Sequence, residues 1–417
     1  MNLSSDERTI VVGGGIVGLS AACHLARRGA RITLFERDRP ALGASSGNAG
    51  ILALGHPPLP HPGLLRKLPR LLLSSTNPVY VAPRASPSLL RFMLDFGRAC
   101  GRSHFERSVA LLARLGWPAR ECIETLIGEA GIDCDLHRTG WLEVFRTHRA
   151  RSAVLRTAEL LRGHGYTVDE LDGDTLRRRE PAFRDDVLGA LHWVDSGFAD
   201  PGRLVRGLVE HARRLGVELC FETPVDRLLA RDGRFEGVRL ADGRVVASRR
   251  AVLAAGAWST ELARTVGVSV PLQGGKGYHV NLRRTPHRPS TTCVCSETFV
   301  AVTPLDGGLR LAGTVELSGL NLRMVQARLD MLRVGARIYL RGIDDAEAGS
   351  TWCGLRPLTA DGLPVVGFAP RVEGLFVVTG HAMMGFLLGP LGGKLASEAL
   401  LDGKMSLDLP ELDPARF

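Results

Sequence analysis

The chain of 417 residues has no apolar run approaching the roughly 18–20 residues that cross a bilayer, which excludes an integral helical membrane protein. No basic stretch leads into an apolar one at its start, so no secretory signal is expected and the address reads as cytoplasmic. Lysine is scarce: only Lys67, Lys276, Lys394 and Lys404 stand among 53 basic residues. Zinc spacings, basic helices and aromatic-basic sheet motifs are missing, so the net charge of +9 reads as scattered surface arginine, with no nucleic-acid partner expected. The eight cysteines contain no CxxC pair and read as buried thiols, with no metal site expected. With 45% hydrophobic and 23% charged residues, the chain has the balance of a soluble globular protein of two or three domains.

What is present begins at residues 10–18, where an apolar strand runs into Gly13-x-Gly15-x-x-Gly18. A helical pattern follows to Arg28, and a second strand, Arg31 to Glu36, ends on an acid. This turn brings backbone N–H groups and a helix N-terminus up to a pyrophosphate, and the later carboxylate holds a ribose. A dinucleotide is expected there.

The dinucleotide pattern returns late in the chain. A helix is expected over 204–215, then short strands at 217–221, 225–230, 235–240 and 245–248, with Asp232-Gly233 and Asp242-Gly243 as hairpin turns. A buried strand, Ala251 to Ala255, ends at Gly256; another, Leu375 to Thr379, meets Gly380 and a helix over 384–401. Between them, 64–130 reads as helical, 139–145 as a strand, 151–164 as a helix, 268–315 as strands and 322–341 as a helix. Domain boundaries are expected at 1–55, 190–265 and 352–417 for a discontinuous nucleotide domain, and at 56–189 and 266–351 for a second domain.

Five separated segments carry a resemblance. They are the N-terminal fingerprint; Gly43-Ala-Ser-Ser-Gly-Asn-Ala-Gly50; Leu253-Ala-Ala-Gly-Ala-Trp-Ser259; Trp352-Cys-Gly-Leu-Arg-Pro-Leu-Thr-Ala-Asp-Gly-Leu-Pro364; and Gly380-His-Ala-Met-Met-Gly385. In this order they resemble the D-amino acid oxidase superfamily of FAD enzymes, and most of all its bacterial D-amino acid dehydrogenase branch. The resemblance implies an α/β fold, with a Rossmann-like FAD-binding domain interleaved with an α+β substrate domain on an antiparallel sheet.

It also implies which residues touch FAD. The ADP half would meet Gly13, Gly15, Ile16, Val17, Gly18, Glu36, Arg37 and Val225. The loop residues Ser45, Ser46, Asn48, Ala49 and Gly50 would face phosphate or flavin, although their spacing alone equally fits a Ser/Asx turn. Ala255, Gly256 and Trp258 follow the buried strand, where a side chain at Gly256 is expected to collide with the ligand; alone, that glycine could be only a tight turn. Gly380, His381, Met384 and Gly385 would place a helix N-terminus at the flavin, while His381 could also be a capping residue. Gly354 stands where sarcosine oxidases attach flavin through cysteine, so FAD is expected to be non-covalent, although Cys353 is adjacent.

For the reaction, the resemblance puts the substrate carboxylate on Arg356, whose guanidinium fork suits it. It places Tyr278 on the substrate cavity wall, against a plain reading as a core strand tyrosine. Glycine oxidases carry an arginine where Met383 stands, and Met383 with Met384 suggests an apolar wall. The implied activity is oxidative deamination of a D-amino acid to a 2-oxo acid, with quinone or O2 as acceptor. Alternatives are a cis-4-hydroxy-D-proline enzyme, a flavoprotein subunit of a hetero-oligomeric amine or opine dehydrogenase, and a nucleic-acid-associated flavoprotein. The stretch Leu64 to Leu73 mixes leucine with basic heads, which suggests a peripheral contact on the inner face of the membrane or a buried helical hairpin.

Overall fold

The computed structural model describes residues 8–54, 56–64 and 77–417. One layer is a six-stranded sheet ordered Val365–Phe368, Leu375–Thr379, Arg250–Leu253, Thr9–Val12, Ile32–Phe35, Glu218–Cys220. All its pairings are parallel except that of Val365–Phe368 with Leu375–Thr379. Successive side chains of a strand point to opposite faces, so a central strand covered on both sides must be apolar throughout. Ile10–Val12 obeys this rule: Val11 packs with the helices on one face, while Ile10 and Val12 pack with a three-stranded antiparallel sheet on the other.

The helical face holds Ile16–Arg27, Pro201–Arg214 and Gly385–Asp402. Gly393 lets the first and last of these cross closely, because a Cβ there would lie 2.6 Å from the Ala21 nitrogen. Pro201–Arg214 starts at Asp200, whose carboxylate accepts from the Arg203 N–H at 2.9 Å. It buries Leu204, Val205, Leu208, Val209 and Ala212, the stripe expected of a helix with one covered face.

The second layer is a nine-stranded, largely antiparallel sheet. Its path runs Glu347–Thr359, Leu272–Arg283, Gly308–Leu317, Val300–Leu305, Cys293–Cys295, Trp141–Phe145, Gly189–Trp193, Val168–Asp172, with Val79–Val81 added beside Gly308–Leu317. Helices Pro87–Ala99, His148–Arg162 and Gln326–Arg337 pack against it, while Arg102–Ala130 packs mainly on Gly385–Asp402.

Several expectations shift. Val79–Val81 is a strand inside the stretch read as helical, and the helix expected over 322–341 is confined to Gln326–Arg337. Ala190–Trp193 and the segment from Trp352 to Thr359, which the expected boundaries put in the nucleotide domain, pair within the large sheet. Both are strands whose partners lie far away in sequence, so composition gave no sign of their sheet. Seven cysteines are buried, Cys220 is half-buried, and all eight are free thiols. Leu65 to Leu73 of the proposed membrane-contact stretch lies outside the described residues. Among the described residues no helix is long and apolar enough to cross a membrane.

Candidate active site

A cavity of about 930 Å3 runs between the two layers, near the top of the range for small-molecule sites. At one end lies the glycine turn. Gly13 has φ of +112°, and a Cβ there would overlap the Ala254 carbonyl oxygen, so only glycine lets two strand ends approach this closely. Gly18 does not reach the cavity; a Cβ on it would strike the Gly13 carbonyl, so its part is helix-to-strand packing. The Ile16 N–H at the helix start donates to Ser45 Oγ at 3.0 Å. Glu36 accepts from the Gly14 N–H at 2.6 Å and from the Asp38 N–H at 3.0 Å, so this acid also braces the turn.

Gly13, Gly15, Ile16, Val17, Glu36, Arg37, Val225, Ala255, Gly256 and Trp258 all lie on the cavity wall. The Arg37 guanidinium stacks over the Trp258 indole, 3.5 Å from its centroid. Gly256 has φ of +55° and open space around its Cβ position. No protein atom crowds that position; the space beside it is the cavity itself.

Residues 44–50 form the middle of the wall. Ser45 and Ser46 sit in one helical turn, Ala44–Gly47, and not in an open loop. Three successive carbonyls after it are held by three different strands of the large sheet. His279 Nδ1 donates to Gly47 O at 2.8 Å, Arg310 Nη1 to Asn48 O at 2.9 Å, and Thr303 Oγ1 to Ala49 O at 2.6 Å. Asn48 closes the turn, donating to Ser45 O at 2.7 Å and accepting from the Gly50 N–H at 2.8 Å. Ser45, Asn48 and Ala49 line the cavity, whereas Ser46 and Gly50 do not. Ser46 Oγ is buried without a partner among the described residues, and Gly50 turns with φ of +75° against Ala199 O.

Arg356 lies at the other end, on Glu347–Thr359. Its Nη1 donates to Thr314 O at 2.8 Å, and among the described residues it meets no carboxylate. Burial draws its pKa down to about 10, so it stays charged at neutral pH. His381 and Gly385 share this end of the wall. His381 is 3% exposed, and burial pulls its pKa to about 4, leaving the imidazole neutral. Met383 faces the cavity near Phe92, Met93 and Phe96, while Met384 is buried in the helix-packing core and off the wall. Gly380 is also off the wall, packed on Thr359 with φ of +76°.

Tyr278 is a correction. It is 1% exposed, lies off the cavity and donates its hydroxyl to Glu316 at 2.9 Å. Burial and then Glu316 hold that hydroxyl protonated. Alternation along the strand turns residue 278 to the core face; its position beside Gly277 in the sequence did not reveal that.

Two more residues of this region, Glu143 on the wall and Gly277 behind Arg356, escaped the sequence reading. Glu143 takes a hydrogen bond from Trp193 Nε1 at 3.2 Å, and burial raises its pKa to about 7. Gly277 makes room for Arg356, since a Cβ there would occupy the guanidinium's position. Cys353 donates its thiol to Leu322 O at 3.1 Å, and burial raises its pKa. The glycine cluster Gly274-Gly275-Lys276-Gly277 was a usable signal for Gly277, whereas Glu143 depends on strand pairing. A long cavity with a glycine turn at one end, a helix N-terminus beside it and an unpaired cation at the other suits a dinucleotide together with a small anion.

The family model described as FAD dependent oxidoreductase matches residues 8–399. A curated D-amino acid dehydrogenase of Cereibacter sphaeroides (strain ATCC 17029 / ATH 2.4.9) is 31% identical over 415 residues, spanning 98% of this chain and 94% of the relative. Among solved structures, a glycine oxidase from Geobacillus kaustophilus aligns with a TM-score of 0.79 at 26% identity, covering 99% of both chains. An L-proline dehydrogenase from P. horikoshii shares the fold, with a TM-score of 0.75 at 18% identity over 100% of this chain and 98% of that one. With a fingerprint, cavity and full-length match that agree, the chain belongs to the FAD dependent oxidoreductase (DAO) family, and FAD is its cofactor.

Proposed function

We propose that this protein oxidises a D-amino acid with an apolar side chain to the imino acid, which water converts to a 2-oxo acid and ammonia. The observation that carries this reading is Arg356: a charged guanidinium on the cavity wall, held by the Thr314 carbonyl and facing no carboxylate among the described residues. A buried cation without a counterion is costly, and a substrate carboxylate supplies the missing charge through two parallel hydrogen bonds. The D configuration follows the curated relative's name.

FAD, when bound, would supply the two-electron acceptor for the substrate's oxidation. The chain's own residues orient and shield. Arg356 fixes the carboxylate and thereby the direction of the Cα–H bond. Its charge disfavours an ammonium nearby, so the amine is held neutral, as the oxidation requires. Phe92, Phe96 and Met383 give the side chain an apolar wall and exclude water. His381 is neutral and adds no competing charge. FAD is held without a covalent link, the Cys353 thiol being protonated and engaged by Leu322 O. Electrons leave to a quinone or another acceptor.

The test is anaerobic mixing of the purified holoenzyme with D-alanine, D-leucine, D-phenylalanine, D-proline, cis-4-hydroxy-D-proline and glycine. Loss of the flavin's visible absorbance is expected fastest with the apolar D-amino acids. Bleaching by glycine alone, or by none of them, overturns the reading. Dye reduction in excess of peroxide release is the outcome expected of a dehydrogenase.

A further inference from the structure

The seat of Arg356 is built by an irregularity in the neighbouring strand pair. Between Leu272–Arg283 and Gly308–Leu317 the register runs Tyr278 to Gly313 and then Lys276 to Glu316. Thr314 and Val315 therefore stand opposite the single residue Gly277, which is a β-bulge. At the bulge Thr314 has φ of +61°. Among the described residues with positive φ it is the only β-branched one, and for that residue class the conformation is strained.

The strain has two visible consequences. It turns the Thr314 carbonyl onto Arg356 Nη1, at 2.8 Å. It also leaves Thr314 Oγ1 buried without a hydrogen-bond partner among the described residues, in a residue that is 7% exposed and on the cavity wall. Buried hydroxyls normally find partners inside the protein, so an orphan beside an unpaired guanidinium points to a ligand that supplies the acceptor. Gly277 completes the arrangement, because any side chain there would displace the guanidinium.

We propose that Thr314 is a further substrate-binding residue: its carbonyl positions Arg356, and its hydroxyl donates a hydrogen bond to the same carboxylate. This rests on the reading that Arg356 receives the substrate carboxylate. The ligand class is a monocarboxylate gripped by one cation and one neutral donor, without a second basic residue from Met383. Specificity then falls on the apolar walls that surround the remainder of the ligand.

The test compares the Thr314→Val, Thr314→Ser and Arg356→Ala holoenzymes with the parent. Benzoate, a carboxylate with no oxidisable amine, is titrated by its perturbation of flavin absorbance, and kcat and KM are measured for the preferred amino acid. Valine keeps the branched shape and removes only the hydroxyl. Thr314→Val should weaken benzoate and raise KM about tenfold, the worth of one hydrogen bond to a charged group, with kcat little changed. Thr314→Ser should stay within about threefold of the parent.

Unchanged benzoate binding in Thr314→Val, while Arg356→Ala loses it, overturns the role of the hydroxyl alone. Equal losses in Thr314→Val and Thr314→Ser, or a Thr314→Val protein without FAD or a cooperative melt, make the residue structural and overturn it too. Benzoate binding that survives in Arg356→Ala overturns the carboxylate reading itself.

Discussion

Arg310 donates from Nη1 to the Asn48 carbonyl at 2.9 Å, tying the strand Gly308–Leu317 to the segment that lines the middle of the cofactor cavity. Arg310 is 8% exposed and, among the described residues, has no carboxylate within ion-pair distance; burial lowers its pKa. Its other donor, Nε, reaches Asn281 Oδ1 at 3.1 Å. A buried charge held only by neutral oxygens is a poor source of stability, which points to positioning as its role.

Arg310→Met is therefore expected to change FAD retention more than stability. Removing the charge recovers its desolvation cost, while the released carbonyls lose about 1–3 kcal/mol each if they stay buried. These effects oppose one another. The melting temperature should move by only a few degrees, roughly 2–4 °C per kcal/mol for a chain of this size or less. Fluorescence of released FAD should show at least a tenfold weaker complex. Retention equal to the parent's would show that the segment holds its shape without the arginine.

Arg356→Ala should keep FAD and raise KM by about two to three orders of magnitude, because a truncated bidentate charge pair costs about 2–5 kcal/mol. Steady-state kinetics on the flavin-replete protein checks this. A KM within a few-fold of the parent would place the carboxylate elsewhere.

Gly277→Ala tests the same site without touching the arginine. The added methyl occupies the guanidinium's place, and the far end of a flexible side chain can yield, so the fold should persist. KM is expected to rise at least tenfold, as for a displaced charge-assisted contact. A variant with parental KM would mean that Arg356 reaches the substrate from another rotamer.

Acid should unfold this protein partly through its buried imidazoles. His279 is 4% exposed, and burial, followed by the nearby Arg310 charge, lowers its pKa from 6.5 to about 4; burial does the same for His381. Folded values below unfolded ones mean that the unfolded chain binds more protons between pH 4 and 6.5. Stability is thus complete above about pH 6.5 and falls as pH drops toward 4, by about 1.4 kcal/mol per pH unit for each such histidine. Glu143, raised to about 7, has the opposite sign and loses its contribution as pH rises through 7. Urea midpoints at pH 5 and 7 check the balance, and His279→Gln should flatten the acid side. An unchanged slope in that variant would remove His279 from the account.

Much of the nucleotide half was legible in the sequence because its signals are local. The glycine turn, the strand ending on Glu36, the Asp-Gly hairpins and the Gly380 turn each sit within a few residues of what they build. Gly13, Gly15, Val225 and Trp258, singled out from those short spans, lie on the cavity wall. Tyr278 shows where that reading stops. Its side falls on the core because of its pairing with Gly313 and Cys353 on two strands much later in the chain, and nothing within five residues of it reports that pairing.

The sequence by itself determined the strand–turn–helix cradle and hence a dinucleotide site, since backbone geometry at glycine and the alternation of apolar residues are properties of short segments. Only the tertiary structure decided the Arg356 end of the cavity. There, a bulge at Thr314, a gap at Gly277 and the guanidinium of Arg356 come from three strands, and three strands also hold residues 47–49. Side chains so far apart in the chain are brought together by register, which is set by the burial of whole faces and not by any local run of residues.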